Sequence, residues 1–197
     1  HSISGERFPS LMVLSVTSVA STALPSGTSG LRSVSEVYVA GDELTDVGEL
    51  CGLRALTTLY FGPCKSLSCL PPALGRLPCL RYLVMDCLRI RDLSFLWEGG
   101  FLLLEELTLF VHTYTQQLSP WISRLSRLSS LSLSGPGVED LPDIGDGSAL
   151  PLLENLHLTD CRNLRSISAT LLCGHLTTLE VANVPHCGTL FGQLLLP

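Results

Sequence analysis

Residues 56–85 read LTTLYFGPCKSLSCLPPALGRLPCLRYLVM, and the spacing of the apolar side chains in this stretch decides the architecture. It opens on Leu56, Leu59 and Phe61 and closes on Leu80, Leu83 and Met85, the same L-x-x-L-x-L triplet 24 residues later. Residues two apart in a strand point to the same side. Leu59 with Phe61, and Leu83 with Met85, are therefore predicted to form the inward edges of two short strands, leaving Thr58, Tyr60, Tyr82 and Val84 to face outward. Pro71 and Pro72 stand between the triplets, where a missing N–H is tolerated in a returning segment but not in a central strand.

The same triplet recurs on both sides of this stretch. It is found at Leu11/Leu14/Val16, Val34/Val37/Val39, Leu104/Leu107/Leu109, Leu128/Leu131/Leu133, Leu153/Leu156/Leu158 and Leu176/Leu179/Val181. First positions are 22 to 25 residues apart, with a mean of about 23.6, which lies in the range of a leucine-rich repeat. One such triplet means little in a chain with 43 leucines among 197 residues, but eight in regular succession define a repeat. The expected fold is an α/β solenoid: a leucine-rich-repeat horseshoe of about eight 22–25-residue repeats, with a parallel concave β-sheet and an irregular or short-helical convex side. One unit cannot bury its apolar edge alone, so neighbours stack into a continuous core. Eight strands at the usual spacing span about 34 Å, wide enough for a protein surface. The Ser/Thr/Gly-rich stretch 21–30 falls within the second unit as a loop, so residues 1–197 read as a single domain. Neither end shows a polar or disulfide-bonded cap, and the chain starts at His1; a fragment of a longer chain is expected, with 184–197 an incomplete last repeat.

Composition excludes several functions. Twelve Lys and Arg against 18 Asp and Glu give a net charge of −6, the wrong sign for general nucleic-acid or anionic-membrane binding. The apolar runs fall well short of the roughly 18 residues that a membrane span needs. The eight cysteines include no C-x-x-C pair, and Cys173 with His175 and His186 with Cys187 lack zinc-finger spacing, so no metal is expected. Cys64 and Cys161 occupy equivalent repeat positions, where a small buried residue fits. Asn155, Asn163 and Asn183 all lack the N-x-S/T pattern. These features favour a cytoplasmic, reducing compartment.

No catalytic constellation survives inspection. His157 with Asp160 and Cys161 could be imagined as a base and nucleophile, but the repeat puts the cysteine inside and the histidine outside. Gly27–Gly30 is one residue short of a nucleophile elbow. Glu139, Asp140, Asp143 and Asp146 do not match a calcium-loop spacing and read as a solvated turn. The string Gly62-Pro63-Cys64-Lys65-Ser66 lacks the second glycine of a phosphate loop. A non-enzyme without cofactors is expected.

Beyond the bare repeat, Leu56–Met85 resembles the L-x-x-L-x-L-x-x-C-x-x-L-x-x-L-P-x-x-L-x-x-L-x-x-L unit of plant intracellular nucleotide-binding leucine-rich-repeat (NB-ARC-LRR) disease-resistance proteins. Residues 153–167, LENLHLTDCRNLRSI, repeat its C-x-x-L-x-x-I/L element, and residues 118–133, LSPWISRLSRLSSLSL, are similar to its P-x-W-I-x-x-L units. The L-x-G-x-I-P element of extracellular receptor kinases is absent. The resemblance implies a domain that senses a pathogen effector, directly or through an altered host protein, and helps to restrain an upstream nucleotide switch, with ADP or ATP held only by that upstream domain. A substrate-recruiting repeat of a ubiquitin-ligase adaptor and an intracellular signalling scaffold are the alternatives, and a nucleo-cytoplasmic distribution is compatible with the first reading.

Recognition by a repeat solenoid is expected on its concave strands, where rigid elements present side chains in a regular array. The outward positions there include Glu36, Tyr38, Tyr60, Tyr82, Val84, Asp86, Glu106, Thr108, Phe110, His157 and Glu180. Three of the four tyrosines fall on adjacent strands, Tyr38 in register with Tyr60 and Tyr82 one step along, with Phe110 on the same face. Aromatic side chains dominate interface hot spots. The strand positions also hold four carboxylates, Glu36, Asp86, Glu106 and Glu180, and no Lys or Arg. An acidic face with an aromatic centre predicts a protein partner with a basic patch.

Overall fold

The computed structural model describes residues 3, 5–17, 20–86, 90, 100–112, 122, 124–139, 141, 150–165, 167 and 175–185. Eight strands, β1 (Val13–Thr17), β2 (Glu36–Ala40), β3 (Thr58–Phe61), β4 (Tyr82–Met85), β5 (Glu106–Phe110), β6 (Ser130–Ser134), β7 (Asn155–Thr159) and β8 (Thr178–Ala182), form one sheet in sequence order. Every neighbouring pair is parallel. The predicted α/β solenoid with a parallel sheet and little regular structure on its return side is what the chain adopts.

Alternation within each strand produces this. The second and fourth residues of β2 to β7 are the second and third members of the apolar triplets, and they pair only with one another, Val37 with Leu59, Leu83, Leu107, Leu131 and Leu156 in turn. All of these are at most 3% exposed. The first triplet residues Val34, Leu56, Leu80, Leu104, Leu128 and Leu153 lie just before their strands and are buried too. Each such leucine contributes roughly 1.5–3 kcal/mol relative to staying in water. At β8 the pattern loosens: Leu179 is 39% exposed and Val181 half-buried, because an outermost strand has one sheet neighbour instead of two.

Register is fixed at the entrance to each of β2 to β8 by a repeated hydrogen-bond device. The carbonyl of the residue before one strand accepts the N–H groups of two successive residues entering the next, as when Ser35 O takes Thr57 N (2.8 Å) and Thr58 N (3.0 Å). Ser35, Thr57, Ser129 and Thr177 add a hydroxyl donated to the same carbonyl. A slip of one residue would turn the leucines outward and also break this ladder.

Three of the return segments hold tight turns. Short 3-10 turns occupy Thr28–Gly30, Gly48–Gly52 and Pro72–Arg76. Pro71 (φ −65°) precedes the third and Pro72 opens it, where the missing N–H costs nothing, while Leu74 is driven into the core. The stretch 21–30 is more than a loop, since Ala23 makes a parallel bridge to Asp46 and Thr28 is fully buried. Cys64-x-x-Leu67-x-x-Leu70 and Cys161-x-x-Leu164-x-x-Ile167 turn the same faces inward, all six side chains at 8% exposure or less. After β6, β7 and β8 the chain turns through left-handed residues, Gly135 (φ 111°), Asp160 (φ 55°) and Asn183 (φ 57°), glycine and the two side chains that best tolerate that region.

Candidate partner-binding face

Outward residues of the eight strands align into rows across the sheet. The first runs from Val13 through Glu36, Thr58, Tyr82 and Glu106 to Ser130, Asn155 and Thr178. The middle row runs from Ser15 through Tyr38, Tyr60, Val84, Thr108, Ser132 and His157 to Glu180. Phe110 belongs to a third row, beside Ser134. Asp86 lies one residue past β4. All eleven residues singled out in the sequence therefore sit on or at the rim of the same face.

Tyr38 and Tyr60 stack with ring centroids 4.1 Å apart and planes 11° from parallel. Such a pair is worth roughly 0.5–1.5 kcal/mol beyond the area it buries. Tyr38 keeps 42% of its surface exposed. The Tyr60 phenol, hydrogen-bonded to Tyr38, partly buried and facing the negative charges of Tyr38 and Asp86, has its pKa pushed up to about 12. Tyr82 falls in the first row beside Thr58, outside the stack. Val84 takes the place next to Tyr60. The aromatic centre is thus a bent platform of Tyr38, Tyr60, Val84 and Tyr82, and half-buried Phe110 lies beyond it.

The four carboxylates do not behave alike. Asp86 Oδ1 is 2.9 Å from His112 Nε2, and Glu180 Oε2 is 2.9 Å from His157 Nδ1. Glu36 and Glu106 are exposed and have no ion-pair partner among the described residues. The open negative charge therefore concentrates over β2–β5. Among the described residues, Arg81, the residue before β4, borders it and reaches Glu105 at 2.5 Å, one repeat on.

The sequence reading missed these ties, although a signal existed. Arg81 with Glu105, Lys65 with Asp42 (2.6 Å), His157 with Glu180 and Asn183 Nδ2 with Asp160 Oδ1 (3.0 Å) are each 23 or 24 residues apart, one repeat length. Comparing polar residues at the same position of successive units reveals them. Lys65, in the string that departs from a phosphate loop, is thereby held by Asp42 on the surface.

His157 and Cys161 do not meet. The Cys161 thiol is fully buried, donates to the carbonyls of Leu133 (3.5 Å) and Thr159 (3.4 Å), and has its pKa raised to about 11 by burial. Glu139 pairs with Arg165 at 3.2 Å, while Asp140, Asp143 and Asp146 lie outside the described residues, as do Cys173, His186 and Cys187.

Among solved structures, internalin C2 from Listeria monocytogenes is similar over 86% of this chain and 80% of its own, with 19% identity and a TM-score of 0.54. Internalin F from the same organism is similar over 84% of this chain, with 16% identity and a TM-score of 0.50; the chain spans 53% of its length. At such identities the likeness is one of fold. No protein-family model and no curated protein matches the sequence. The fold is a leucine-rich-repeat solenoid.

Proposed function

We propose that this domain is a protein-recognition module that works through the open face of its sheet, and that it serves as the sensing and autoinhibitory repeat of a plant intracellular immune receptor. The observation that carries the first part is the Tyr38–Tyr60–Tyr82 platform flanked by the exposed carboxylates of Glu36 and Glu106, which have no ion-pair partner among the described residues. Rigid parallel strands hold these groups in fixed register, so a partner ordered against them loses entropy on one side only. The repeat unit that resembles disease-resistance proteins supports the second part. In that reading the domain is cytoplasmic, needs no cofactor, catalyses nothing, and meets a basic surface on an effector, on a host protein altered by one, or on the nucleotide-binding domain of its own protein.

The test is affinity capture with the full parent protein and with its separated switch domain and candidate effectors, comparing wild type with a Tyr38→Ala/Tyr60→Ala/Tyr82→Ala variant. Loss of a defined partner with an unchanged circular dichroism spectrum is the expected result. Undiminished capture by the triple variant would move recognition off this face.

A further inference from the structure

The open face has a length scale as well as a composition. In the first row Glu36 lies on β2 and Glu106 on β5, three strand spacings apart. At about 4.8 Å per spacing that is about 14 Å. A peptide lying across the strands in extended form advances about 3.4 Å per residue, so residues i and i+4 are separated by nearly the same distance and point to the same side. Residue i+2 then faces the sheet between β3 and β4, where Thr58 and Tyr82 stand in that row and Tyr60 and Val84 in the next. Resting on the recognition reading above, we propose that the face over β2–β5 binds an extended segment with cationic side chains at i and i+4 and an apolar side chain at i+2, the cations meeting Glu36 and Glu106.

Charge complementarity commits the face to this occupant. Among the described residues Glu36 and Glu106 have no ion-pair partner, whereas the other carboxylates near the platform are already engaged, Asp86 by His112 and Glu105 by Arg81. Outward strand positions offer no Lys or Arg to compete. The aromatic rings add a second attraction, because a guanidinium that reaches Glu36 passes Tyr38, whose exposed ring favours cations on its face. A segment with adjacent cations satisfies one carboxylate and leaves the other uncompensated.

The experiment titrates the protein with two short capped peptides of identical composition, one with arginines four residues apart and a leucine midway, the other with the arginines adjacent. Fluorescence anisotropy reads binding at low and at moderate salt. The spaced peptide is expected to bind about tenfold more tightly, and a Glu36→Gln/Glu106→Gln variant to lose about tenfold for the spaced peptide, while a control at exposed Glu43, Glu43→Gln, loses nothing. Equal affinity for both peptides, an undiminished Glu36→Gln/Glu106→Gln variant, or no binding by wild type overturns the spacing. Tyrosine-dependent capture of a partner with no preference between peptides sinks this inference and leaves the recognition reading standing; a spaced preference with tyrosine-independent capture does the reverse.

Discussion

In β3, Leu59 and Phe61 are fully buried, and in β6 Leu131 and Leu133 are buried to within 1%. Turned outward, β3 shows Thr58 and Tyr60, and its neighbours β2 and β4 show Glu36, Tyr38, Tyr82 and Val84. β6 shows three serines, and β7 shows Asn155, His157 and Thr159. One ladder thus supports two unlike surfaces. Strand alternation separates what folds the chain from what its face offers: the inward residues are set by packing, and the outward ones are free to vary unit by unit.

The two halves should respond alike where they share the ladder. Leu83→Ala in β4 and Leu131→Ala in β6, both 1% exposed, should each cost about 2–5 kcal/mol of stability in denaturant melts. Costs differing severalfold between the halves would break the equivalence. A turn specific to the second half should be nearly as sensitive. Gly135 has φ 111°, and a Cβ there would stand 2.4 Å from Val111 O, so Gly135→Ala should cost on the order of 1–3 kcal/mol by the same measurement.

The faces, by contrast, should respond differently. Tyr38→Phe removes the hydroxyl that does most to raise the Tyr60 pKa, so alkaline titration at the phenolate absorbance should move Tyr60 from about 12 toward its ordinary value near 10. The folded pKa is raised, so the contribution of Tyr60 to stability is complete below pH 10 and is lost as pH climbs through about 12. The smallest effect belongs to β7 and β8. His157→Ala should cost only a few tenths of a kcal/mol, because the pair with Glu180 is solvent-exposed, and should leave Glu180 as a third open carboxylate.

What the sequence revealed follows from the same separation. The ladder was legible because a 22–25-residue period and a two-residue alternation are both one-dimensional signals, and the Tyr38–Tyr60 register followed from their one-repeat separation. The state of the carboxylates was less legible. Asp86 and His112 are 26 residues apart, out of step with the repeat, because Asp86 lies one residue past its strand and His112 two residues past its own. Leu179 also escaped, since a triplet does not say whether its strand lies inside the stack or at its end. The tight 3-10 returns were foreseen only as irregular or short-helical, as Gly48–Gly52 and Pro72–Arg76 leave no room for longer helices.

The central claim is that recognition lies on β2–β5 and not on β6–β7. Hydroxyl-radical footprinting of the protein with and without the spaced arginine peptide addresses it directly, because Tyr38, Tyr60, Tyr82 and His157 are all reactive reporters on the one face. Protection of Tyr38 and Tyr82 with His157 unchanged is the predicted pattern. Protection of His157 with the tyrosines unchanged would contradict it.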